Sequence, residues 1–373
     1  MATVSTQQER AFLRRALELA ALGRGKVSPN PLVGAVLVSG GEVVGEGHHA
    51  ELGGPHAEVA ALEDCRRRGA DPAGATMFVT LEPCAHHGRQ PPCTDALVAA
   101  RIGRVVIGSD DPSEKASGRG PGILRDEGIE VAFAEGAEAA AARLINQAFR
   151  KHARTGRPHV VFKSALTLDG RVATAGGESR WISGERSRDL VHRWRGDLDA
   201  IAVGIGTALA DDPLLTARSP GDPSQPTRVV FDSTARLPLD SALVESLSDV
   251  PLVIVAAAGA PEDRVAALQD AGAAVIVASG SRADRVTSAL TDLGRREITS
   301  MLLEGGPTLA GAFLEAGEVD ELRLFIAPRV LGEGRPLIEG PGADRIAEAQ
   351  TALSADWERV GEDLLVRARL REW

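Results

Sequence analysis

The chain has 373 residues, a net charge of −10 and a pI near 5.4. Hydrophobic residues make up 43% and charged residues 25%, as in ordinary globular proteins, and at roughly 150 residues per domain this length predicts two or three domains. The acidic balance and an aromatic content of only 3% argue against a nucleic-acid partner. Charges interrupt every long apolar run, so we expect no membrane partner and a cytoplasmic protein whose cysteines are reduced thiols.

Helix and strand patterns alternate over the first 155 residues. The segment "STQQERAFLRRALELAALG" opens with a capping box, Ser5 to Gln8, and has helical periodicity. "PLVGAVLVSGGEVVGEGHH" predicts two strands around a Gly-Gly turn. A helix over 55–69, the strand "ATMFVT", a helix from Cys93, the strand "RVVIGS", a helix near "GPGILRDEG", the strand "IEVAF" and one helix over 136–153 follow. This order predicts an α/β domain, a three-layer α/β/α sandwich, over residues 1–154.

The segment "RKHARTGRPHV" interrupts this pattern with charge, glycine and proline, so we predict a domain boundary near residue 155. A new α/β pattern begins at "VVFKSALTLDGRVA". Further strands are predicted at "AIAVG", "TRVVFD", "PLVIVAAA", "AAVIVAS", "TSMLLEGG", "ELRLFIAP" and "DLLVRARL", with helices between most of them. Residues 155–373 therefore form a second predicted α/β domain, with the last strand antiparallel at an edge of its sheet.

Two short motifs in the first domain combine the residue types of a metal site. "PHAE" places His56 and Glu58 at the start of a predicted helix, and Cys93 begins another helix directly after two prolines. "LEPCAHHGRQPPC" contains Cys84 and Cys93. A helix N-terminus favours the thiolate form that binds metal. Three protein ligands, His56, Cys84 and Cys93, are typical of a catalytic zinc that keeps one position for water, and Glu58 could then move that water's proton to a leaving amine.

A structural zinc site with four ligands is the alternative, with His86 or His87 as the fourth. We favour the catalytic site because a structural site gives Glu58 no role. The spacing of nine between Cys84 and Cys93 departs from the Pro-Cys-x-x-Cys pattern of nucleobase deaminases. Cys65 lies within a predicted helix and is interpreted as a bystander.

In combination, "SPNPLVGAVLV", "PHAEVAAL" and "EPCAHHGRQPPC" resemble the deaminase half of the bacterial riboflavin-biosynthesis RibD (RibG) family. "KSALTLDGR", "GESRWIS", "ADDPLLTAR", "FDS" and "LEGGPTLAGAF" resemble its reductase half. The resemblance implies a cytidine deaminase-like domain followed by a dihydrofolate reductase-like domain. It also implies Zn²⁺-dependent deamination of a phosphorylated diaminopyrimidinone and NADPH-dependent reduction of its ribosyl group to ribityl. The family's "DPNP" loop reads "DPSEKASGRG" here, so this chain departs from the family pattern in the loop that the resemblance places at the ribose phosphate.

The resemblance also implies a set of site residues in this numbering. In the deaminase half it implies His56, Cys84 and Cys93 as zinc ligands, Glu58 as the proton shuttle and Asn30 as a pyrimidine contact. In the reductase half, the implied substrate contacts are Ser179, Arg195, Leu215, Arg218 and Glu304. The implied cofactor contacts are Ala165, Trp181, Thr207, Asp211, Ser233, Gly306, Pro307, Thr308 and Leu309.

The reductase motifs alone support these assignments less sharply. Gly305 and Gly306 precede a predicted helix, where backbone N–H groups can bind phosphate, although a plain turn is the simpler interpretation. Arginines such as Arg195 and Arg218 can bind phosphate bidentately, or they can simply be solvated. Lys163 and Asp211 are the candidates for proton handling, since partial burial of Lys163 would make it a usable acid.

The predicted function is a bifunctional deaminase–reductase acting on successive forms of one phosphorylated pyrimidine. One alternative is a zinc deaminase whose second domain is a non-catalytic sensor or scaffold. The intact reductase motifs weigh against that alternative. A deaminase of nucleic acid is disfavoured by the acidic composition. By resemblance, we expect a homo-oligomer.

Overall fold

The structure is a computed structural model that describes residues 6–88, 90–114, 116–221 and 223–373. It divides into two compact units, Met1–Thr155 together with Trp373, and Gly156–Glu372. In the part of the chain that is described, no helix has the length and apolar character that crossing a bilayer requires.

The first unit is built on a five-stranded sheet with helices on both faces. Its elements are α1 (Thr6–Ala21), β1 (Gly34–Ser39), β2 (Glu42–His48), α2 (Ala57–Arg67), β3 (Thr76–Val79), α3 (Cys93–Ala99), β4 (Arg104–Ile107), α4 (Arg119–Asp126), β5 (Glu130–Phe133), α5 (Gly136–Ile145) and α6 (Gln147–Thr155). The strand order is β2-β1-β3-β4-β5. The β1–β2 and β1–β3 pairs are antiparallel, and the β3–β4 and β4–β5 pairs are parallel.

Alternate residues of these strands enter two separate apolar cores. One core joins the sheet to α2, α3 and α4, and the other joins it to α1. The predicted three-layer sandwich is therefore confirmed. Gly40 and Gly41, with φ of 60° and 89°, form the predicted turn, where a left-handed backbone favours glycine. Ser5, half of the predicted capping box, lies outside the described residues.

The single helix predicted over 136–153 is wrong, because the chain forms α5 and α6 with a break at Asn146. The side chain of Asn146 accepts a hydrogen bond from Leu32 N at 2.8 Å and donates one to Leu32 O at 2.9 Å. Asn146 is 3% exposed, so this pairing satisfies both backbone groups of a residue near the "SPNP" segment. Alanine-rich periodicity does not reveal a contact 114 positions away.

The second unit contains a nine-stranded sheet. Its elements are β6 (His159–Thr167), β7 (Arg171–Thr174), α7 (Glu185–Asp197), β8 (Ala200–Gly204), α8 (Ile205–Asp211), β9 (Thr227–Phe231), α9 (Ala242–Glu245), β10 (Leu252–Ala257), α10 (Glu262–Asp270), β11 (Ala274–Ala278), α11 (Arg282–Arg295), β12 (Ser300–Leu303), α12 (Pro307–Glu315), β13 (Glu321–Ala327), β14 (Gly334–Pro336), a 3-10 turn (Ile346–Glu348), β15 (Ser354–Val360) and β16 (Asp363–Arg369). The order of the large sheet is β11-β10-β9-β8-β12-β6-β13-β16-β15, and β7 pairs with β14 separately.

The parallel part of this sheet consists of seven strands, in the order β11-β10-β9-β8-β12-β6-β13. Strand β16 is antiparallel to β13. The predicted antiparallel direction of the last strand is confirmed, but its edge position is wrong. The polar strand β15 pairs with β16 and forms the edge. Its residues are largely exposed, so the segment lacks the apolar alternation on which strand prediction rests.

Strand β12 lies between β8 and β6, although β9, β10 and β11 extend to the other side of β8. The order of the parallel strands therefore reverses between β8 and β12. In open α/β sheets, ligands bind outside the carboxyl ends of the strands at such a reversal point.

Candidate metal centre and ligand cleft

Three predicted ligands lie together in the first unit. His56 is the residue before α2, Cys93 begins α3, and Cys84 lies in the segment after β3. Their ligand atoms lie within 4.8 Å of one another, with His56 Nδ1 3.2 Å from Cys93 Sγ and 3.6 Å from Cys84 Sγ. A tetrahedral zinc with bonds of about 2.0 to 2.3 Å requires ligand atoms at roughly this separation. The soft donor set and its spacing therefore fit Zn²⁺.

Electrostatics in this group favour a thiolate. A hydrogen bond from the Cys93 thiol lowers the pKa of Cys84 to about 4, despite its burial, and a hydrogen bond with His56 adds to this effect. The backbone N–H of Cys93 also donates to Cys84 Sγ at 3.3 Å. A metal-binding cysteine is deprotonated in this way at neutral pH.

Glu58 lies in the first turn of α2 and is 3% exposed. Burial raises its pKa to about 7, and the charge of Cys84 adds to the shift. A carboxyl that titrates near neutrality can both accept and release a proton, which is the requirement for general acid–base work. His86 and His87 are exposed and are not members of the described ligand group. Among the described residues, the group therefore contains three candidate ligands, whereas the structural alternative requires four.

Asn30 contacts a residue that the sequence analysis did not identify. Its Nδ2 lies 3.1 Å from Nε2 of His49, and Nδ1 of His49 lies 3.0 Å from Pro55 O. His49 is 3% exposed, and its ring meets the His56 ring edge-on at 5.4 Å. His49 thus contacts both Asn30, the predicted pyrimidine contact, and His56, a predicted metal ligand. The only signal in the sequence was its position in "GHHAELGGPHAE".

Two further predictions concern residues beside this group. Cys65 is fully buried, and its thiol donates to Ala70 O at 3.4 Å, which agrees with a bystander in the core. In the "DPSEKASGRG" loop, Asp111 is 8% exposed and accepts a hydrogen bond from Ser113 N. Lys115 lies outside the described residues.

The second unit contains a cleft of about 1260 Å³ at the carboxyl ends of its parallel strands. Ligand pockets have volumes of roughly 300 to 1,000 Å³, so this cleft can hold a cofactor and a substrate together. All fifteen residues predicted for the reductase half line it: Lys163, Ala165, Ser179, Trp181, Arg195, Thr207, Asp211, Leu215, Arg218, Ser233, Glu304, Gly306, Pro307, Thr308 and Leu309.

The lining of this cleft includes a partly buried ion triad. Glu304 accepts hydrogen bonds from Arg195 Nε at 2.8 Å and Nη2 at 3.1 Å, and Lys163 Nζ lies 3.5 Å from its Oε2. Although burial opposes ionisation, the charges of Arg195 and Lys163 lower the pKa of Glu304 to about 2. The expected partial burial of Lys163 is present, since its side chain is 17% exposed. Its carboxylate partner could not be inferred from the sequence.

The other predicted polar residues of the cleft have separate partners. Arg218 Nη2 lies 3.2 Å from Nε2 of His192, a cleft residue that the sequence analysis missed. Asp211 pairs with Arg180 at 2.9 Å and is 32% exposed. Trp181 is 61% exposed, with the Arg188 guanidinium 4.7 Å from its ring centre. An exposed indole in a cleft offers a flat face to a ligand ring.

The glycines at the reversal point leave room for a phosphate. A Cβ added to Gly206 would meet no atom within 4 Å, and one added to Gly306 would meet only Thr207 Oγ1, at 3.7 Å. Gly306 caps α12, where Pro307 occupies the first turn, and free N–H groups at a helix start bind phosphate. The open space at these glycines and the N–H groups at the start of α12 fit the phosphates of a dinucleotide.

Comparisons with known proteins give a family match for each unit. Residues 6–109 match the family model of the cytidine and deoxycytidylate deaminase zinc-binding region, and residues 158–366 match the model of the RibD C-terminal domain. The chain is 40% identical to riboflavin biosynthesis protein RibD of Escherichia coli over 370 residues, covering 96% of this chain and 98% of that protein. It is 41% identical to the protein of the same name from Actinobacillus pleuropneumoniae, covering 97% and 95%.

Solved structures give the same result. RibD of Acinetobacter baumannii, form 1, superposes with a TM-score of 0.85 at 35% identity, covering 99% of this chain and 100% of that chain. A diaminohydroxyphosphoribosylaminopyrimidine deaminase/5-amino-6-(5-phosphoribosylamino)uracil reductase from Thermotoga maritima superposes with a TM-score of 0.85 at 34% identity, covering 98% and 99%.

Proposed function

This chain belongs to the RibD family of bifunctional riboflavin biosynthesis enzymes, with a zinc-dependent deaminase domain and an NADPH-dependent reductase domain, and from that premise we propose its substrates and acting residues. The first domain deaminates 2,5-diamino-6-ribosylamino-4(3H)-pyrimidinone 5′-phosphate. The second reduces the ribosyl group of 5-amino-6-(5-phosphoribosylamino)uracil to ribityl. The name of the similar Thermotoga maritima protein contains both activities.

The observation that carries the deaminase assignment is the buried Glu58 carboxyl beside the His56, Cys84 and Cys93 group. These three residues would hold zinc, which would supply Lewis acidity toward a water molecule. Glu58 accepts a proton from the attacking water and delivers it to the leaving amine. The water oxygen forms the new C–O bond, the C–N bond breaks, and ammonia leaves. Asn30, held against His49, binds the pyrimidine.

In the reductase cleft, the proposed roles follow the ion triad. Arg195 and Arg218 bind the substrate phosphate and sugar, while Glu304 holds Arg195 and Lys163 in place. Ser179, Leu215 and Glu304 complete the proposed substrate contacts. NADPH, when bound, would supply the two electrons of the reduction as a hydride to the anomeric carbon, whose bond to the ring oxygen breaks. Lys163 supplies the proton that this oxygen needs when the ribose ring opens.

The proposed cofactor contacts lie on both sides of the reversal point in strand order. They are Ala165, Trp181, Thr207, Asp211, Ser233, Gly306, Pro307, Thr308 and Leu309. We assign Asp211 to cofactor binding and propose proton transfer as its second role. Its described partner is Arg180.

The proposed domains are residues 1–154 for deamination and 155–373 for reduction, although Trp373 clusters with the first unit. Its carbonyl accepts a hydrogen bond from Arg150 Nε at 2.6 Å. A homo-oligomer and a cytoplasmic location stay predictions, which light scattering and cell fractionation would test.

The proposed function is tested by incubating zinc-loaded protein with the diaminopyrimidinone ribotide and following product masses. Without NADPH, we expect replacement of one amine by oxygen. With NADPH, we expect the further gain of two hydrogens. Deamination without reduction would support the alternative of a non-catalytic second domain, and no reaction of the ribotide would contradict the proposed substrate.

A further inference from the structure

A carboxylate from strand β16 holds the first turn of helix α7. This helix begins at Glu185, after Gly184, a cap residue that has no side chain. In a capping box, an acidic third residue binds the N–H of the cap residue, but the third residue of α7 is Ser187. Asp363 takes that part from 179 positions away. Its Oδ2 accepts hydrogen bonds from Gly184 N at 2.8 Å and from Ser187 Oγ at 2.5 Å, and the helix dipole favours a negative charge at this end of α7.

The side chains of Asp363 and Ser187 lie outside the cleft lining. Asp363 is 2% exposed and Ser187 is fully buried, and neither is among the described residues that line the cleft. A buried carboxylate that loses its hydrogen-bond donors is destabilised, so this pairing holds the helix start firmly. Any effect of the two residues on ligand binding therefore passes through α7.

The hairpin formed by β15 and β16 packs against the same end of α7. Gly361 lies in the turn of this hairpin, and a Cβ added there would lie 3.4 Å from the side chain of Arg186. Leu365 of β16 and Val191 of α7 belong to one apolar cluster. The hairpin thus fixes the start of the helix through both polar and apolar contacts.

The start of α7 in turn orders a segment of the cleft lining. Arg188 Nη1 donates a hydrogen bond to Ser183 O at 2.7 Å, and the Arg188 guanidinium lies 4.7 Å from the ring centre of Trp181. These three residues line the cleft, as does Ser179 at the beginning of the segment. Since Ser179 and Trp181 are proposed ligand contacts, the placement of the first turn of α7 determines where those contacts lie.

The last turns of α7 are held by other residues. Arg195 binds Glu304, and the Trp194 ring stacks on the Phe325 ring with 5.5 Å between their centres. Loss of the Asp363 contacts should therefore release the start of the helix while the ion triad stays in place.

We propose that Asp363 is a positioning residue of the reductase cleft, which places segment 179–188 against substrate and cofactor through its bonds to Gly184 and Ser187. This inference rests on the proposed function of the cleft. Small displacements of binding groups weaken hydrogen bonds and the alignment of reactants. The alternative is that Asp363 contributes to folding stability alone, as any buried hydrogen-bonded carboxylate can.

Asp199 provides a matched control for the stability alternative. Its Oδ2 also accepts hydrogen bonds from backbone and hydroxyl donors, namely Thr299 N and Thr299 Oγ1, both at 2.8 Å, and Ser300 N at 3.0 Å. These residues lie at the amino ends of β8 and β12, opposite to the cleft, and Asp199 is not among the described lining residues. Asp199→Asn should therefore lower stability without changing ligand affinity.

The test uses the zinc-loaded full chain with Asp363→Asn, Asp363→Ala, Ser187→Ala and the control Asp199→Asn. Steady-state kinetics measure kcat of reduction and the KM values for the deaminated ribotide and NADPH. The deamination rate of the same preparation checks the amount of active protein, and circular dichroism measures thermal unfolding.

For the Asp363 variants we expect both KM values to rise about tenfold, as for the loss of a hydrogen bond to a charged group. The kcat of reduction should fall less than threefold, because the ion triad is unchanged. Ser187→Ala keeps the bond from Gly184 N and should raise both KM values about threefold. Asp199→Asn should unfold at a lower temperature with wild-type KM values.

Unchanged KM values in the Asp363 and Ser187 variants would overturn the positioning role, and so would a fall in kcat at constant KM or an equal rise in KM for Asp199→Asn. Should Asp363→Ala not fold, Asp363→Asn and Ser187→Ala decide the question. Reduction by the wild-type protein with unaltered KM values in the variants would remove this inference alone. If the wild-type protein neither bound NADPH nor reduced the ribotide, the proposed reductase function would fail as well.

Discussion

Arg195 binds both carboxylate oxygens of Glu304, with Nε–Oε1 and Nη2–Oε2 distances of 2.8 and 3.1 Å. The two residues are 109 positions apart, and both side chains are largely buried. A bidentate pair of this kind holds its guanidinium in one orientation. Removing Glu304 leaves the charges of Arg195 and Lys163 without their shared carboxylate.

We predict that Glu304→Gln lowers kcat/KM for reduction about 100-fold and leaves deamination unchanged. The amide cannot balance the charges of Arg195 and Lys163, so both lose their orientation toward the substrate. Steady-state assays of both activities on one preparation would measure this effect. Glu297→Gln, on the exposed surface, is a control that should retain both rates, and an equal loss of both activities would contradict the prediction.

The same carboxyl predicts a pH dependence of stability. In the unfolded chain the pKa of Glu304 is near the ordinary value of about 4.3, whereas in the folded protein the pKa is about 2. Its stabilising contribution is therefore complete above that unfolded value and is lost as the pH falls toward 2. Urea unfolding at pH 7 and pH 3.5 should show a smaller difference between wild type and Glu304→Gln at the lower pH, and a constant difference would contradict the assignment.

Glu58→Gln should lower the deamination rate about 1000-fold, because the amide cannot carry the proton from water to the leaving amine. The variant should still bind one zinc, since His56, Cys84 and Cys93 are unchanged, and metal analysis checks this. Reduction of the deaminated ribotide should continue at the wild-type rate. Deamination within tenfold of wild type would remove Glu58 from the mechanism.

Removal of zinc should separate the two activities. Cys93→Ala should lose bound zinc and deamination, because two ligands hold the metal far more weakly than three. The reductase cleft contains no member of the His56, Cys84 and Cys93 group, so NADPH-dependent reduction should persist. Cys65→Ala is the matched cysteine control and should keep its zinc. Metal analysis would measure the bound zinc, and the two activity assays would show whether deamination is lost while reduction persists.

Asn146→Ala should destabilise the first unit by about 2 to 4 kcal/mol, since the N–H and C=O of Leu32 would lose both partners in a buried environment. The KM for deamination should rise as well, because Leu32 is two residues from Asn30. Denaturant unfolding and steady-state kinetics would measure the two effects. A change in unfolding free energy below about 0.5 kcal/mol, the range of ordinary surface substitutions, would contradict this account.

The site could be predicted from sequence where its signals are local. His56 precedes a helix and Cys93 begins one, so the residue types, their helix starts and the nearby Glu58 were all visible in "PHAE" and "EPC". The strand and helix order was visible for the same reason, because apolar periodicity extends over a few neighbouring residues. The family resemblance extended the prediction to fifteen of the residues that line the reductase cleft.

Tertiary structure alone decided which side chains meet. The contacts of Asn30 with His49 and of Asn146 with Leu32 join segments whose separation in sequence carries no local pattern, and the polar strand β15 is stabilised by its pairing with β16. Likewise, only the position of β12 between β8 and β6 creates the reversal point. A periodic sequence determines which face of each element is buried. Packing of distant elements determines which charges are paired, and in this cleft it pairs Glu304 with Arg195 and Lys163.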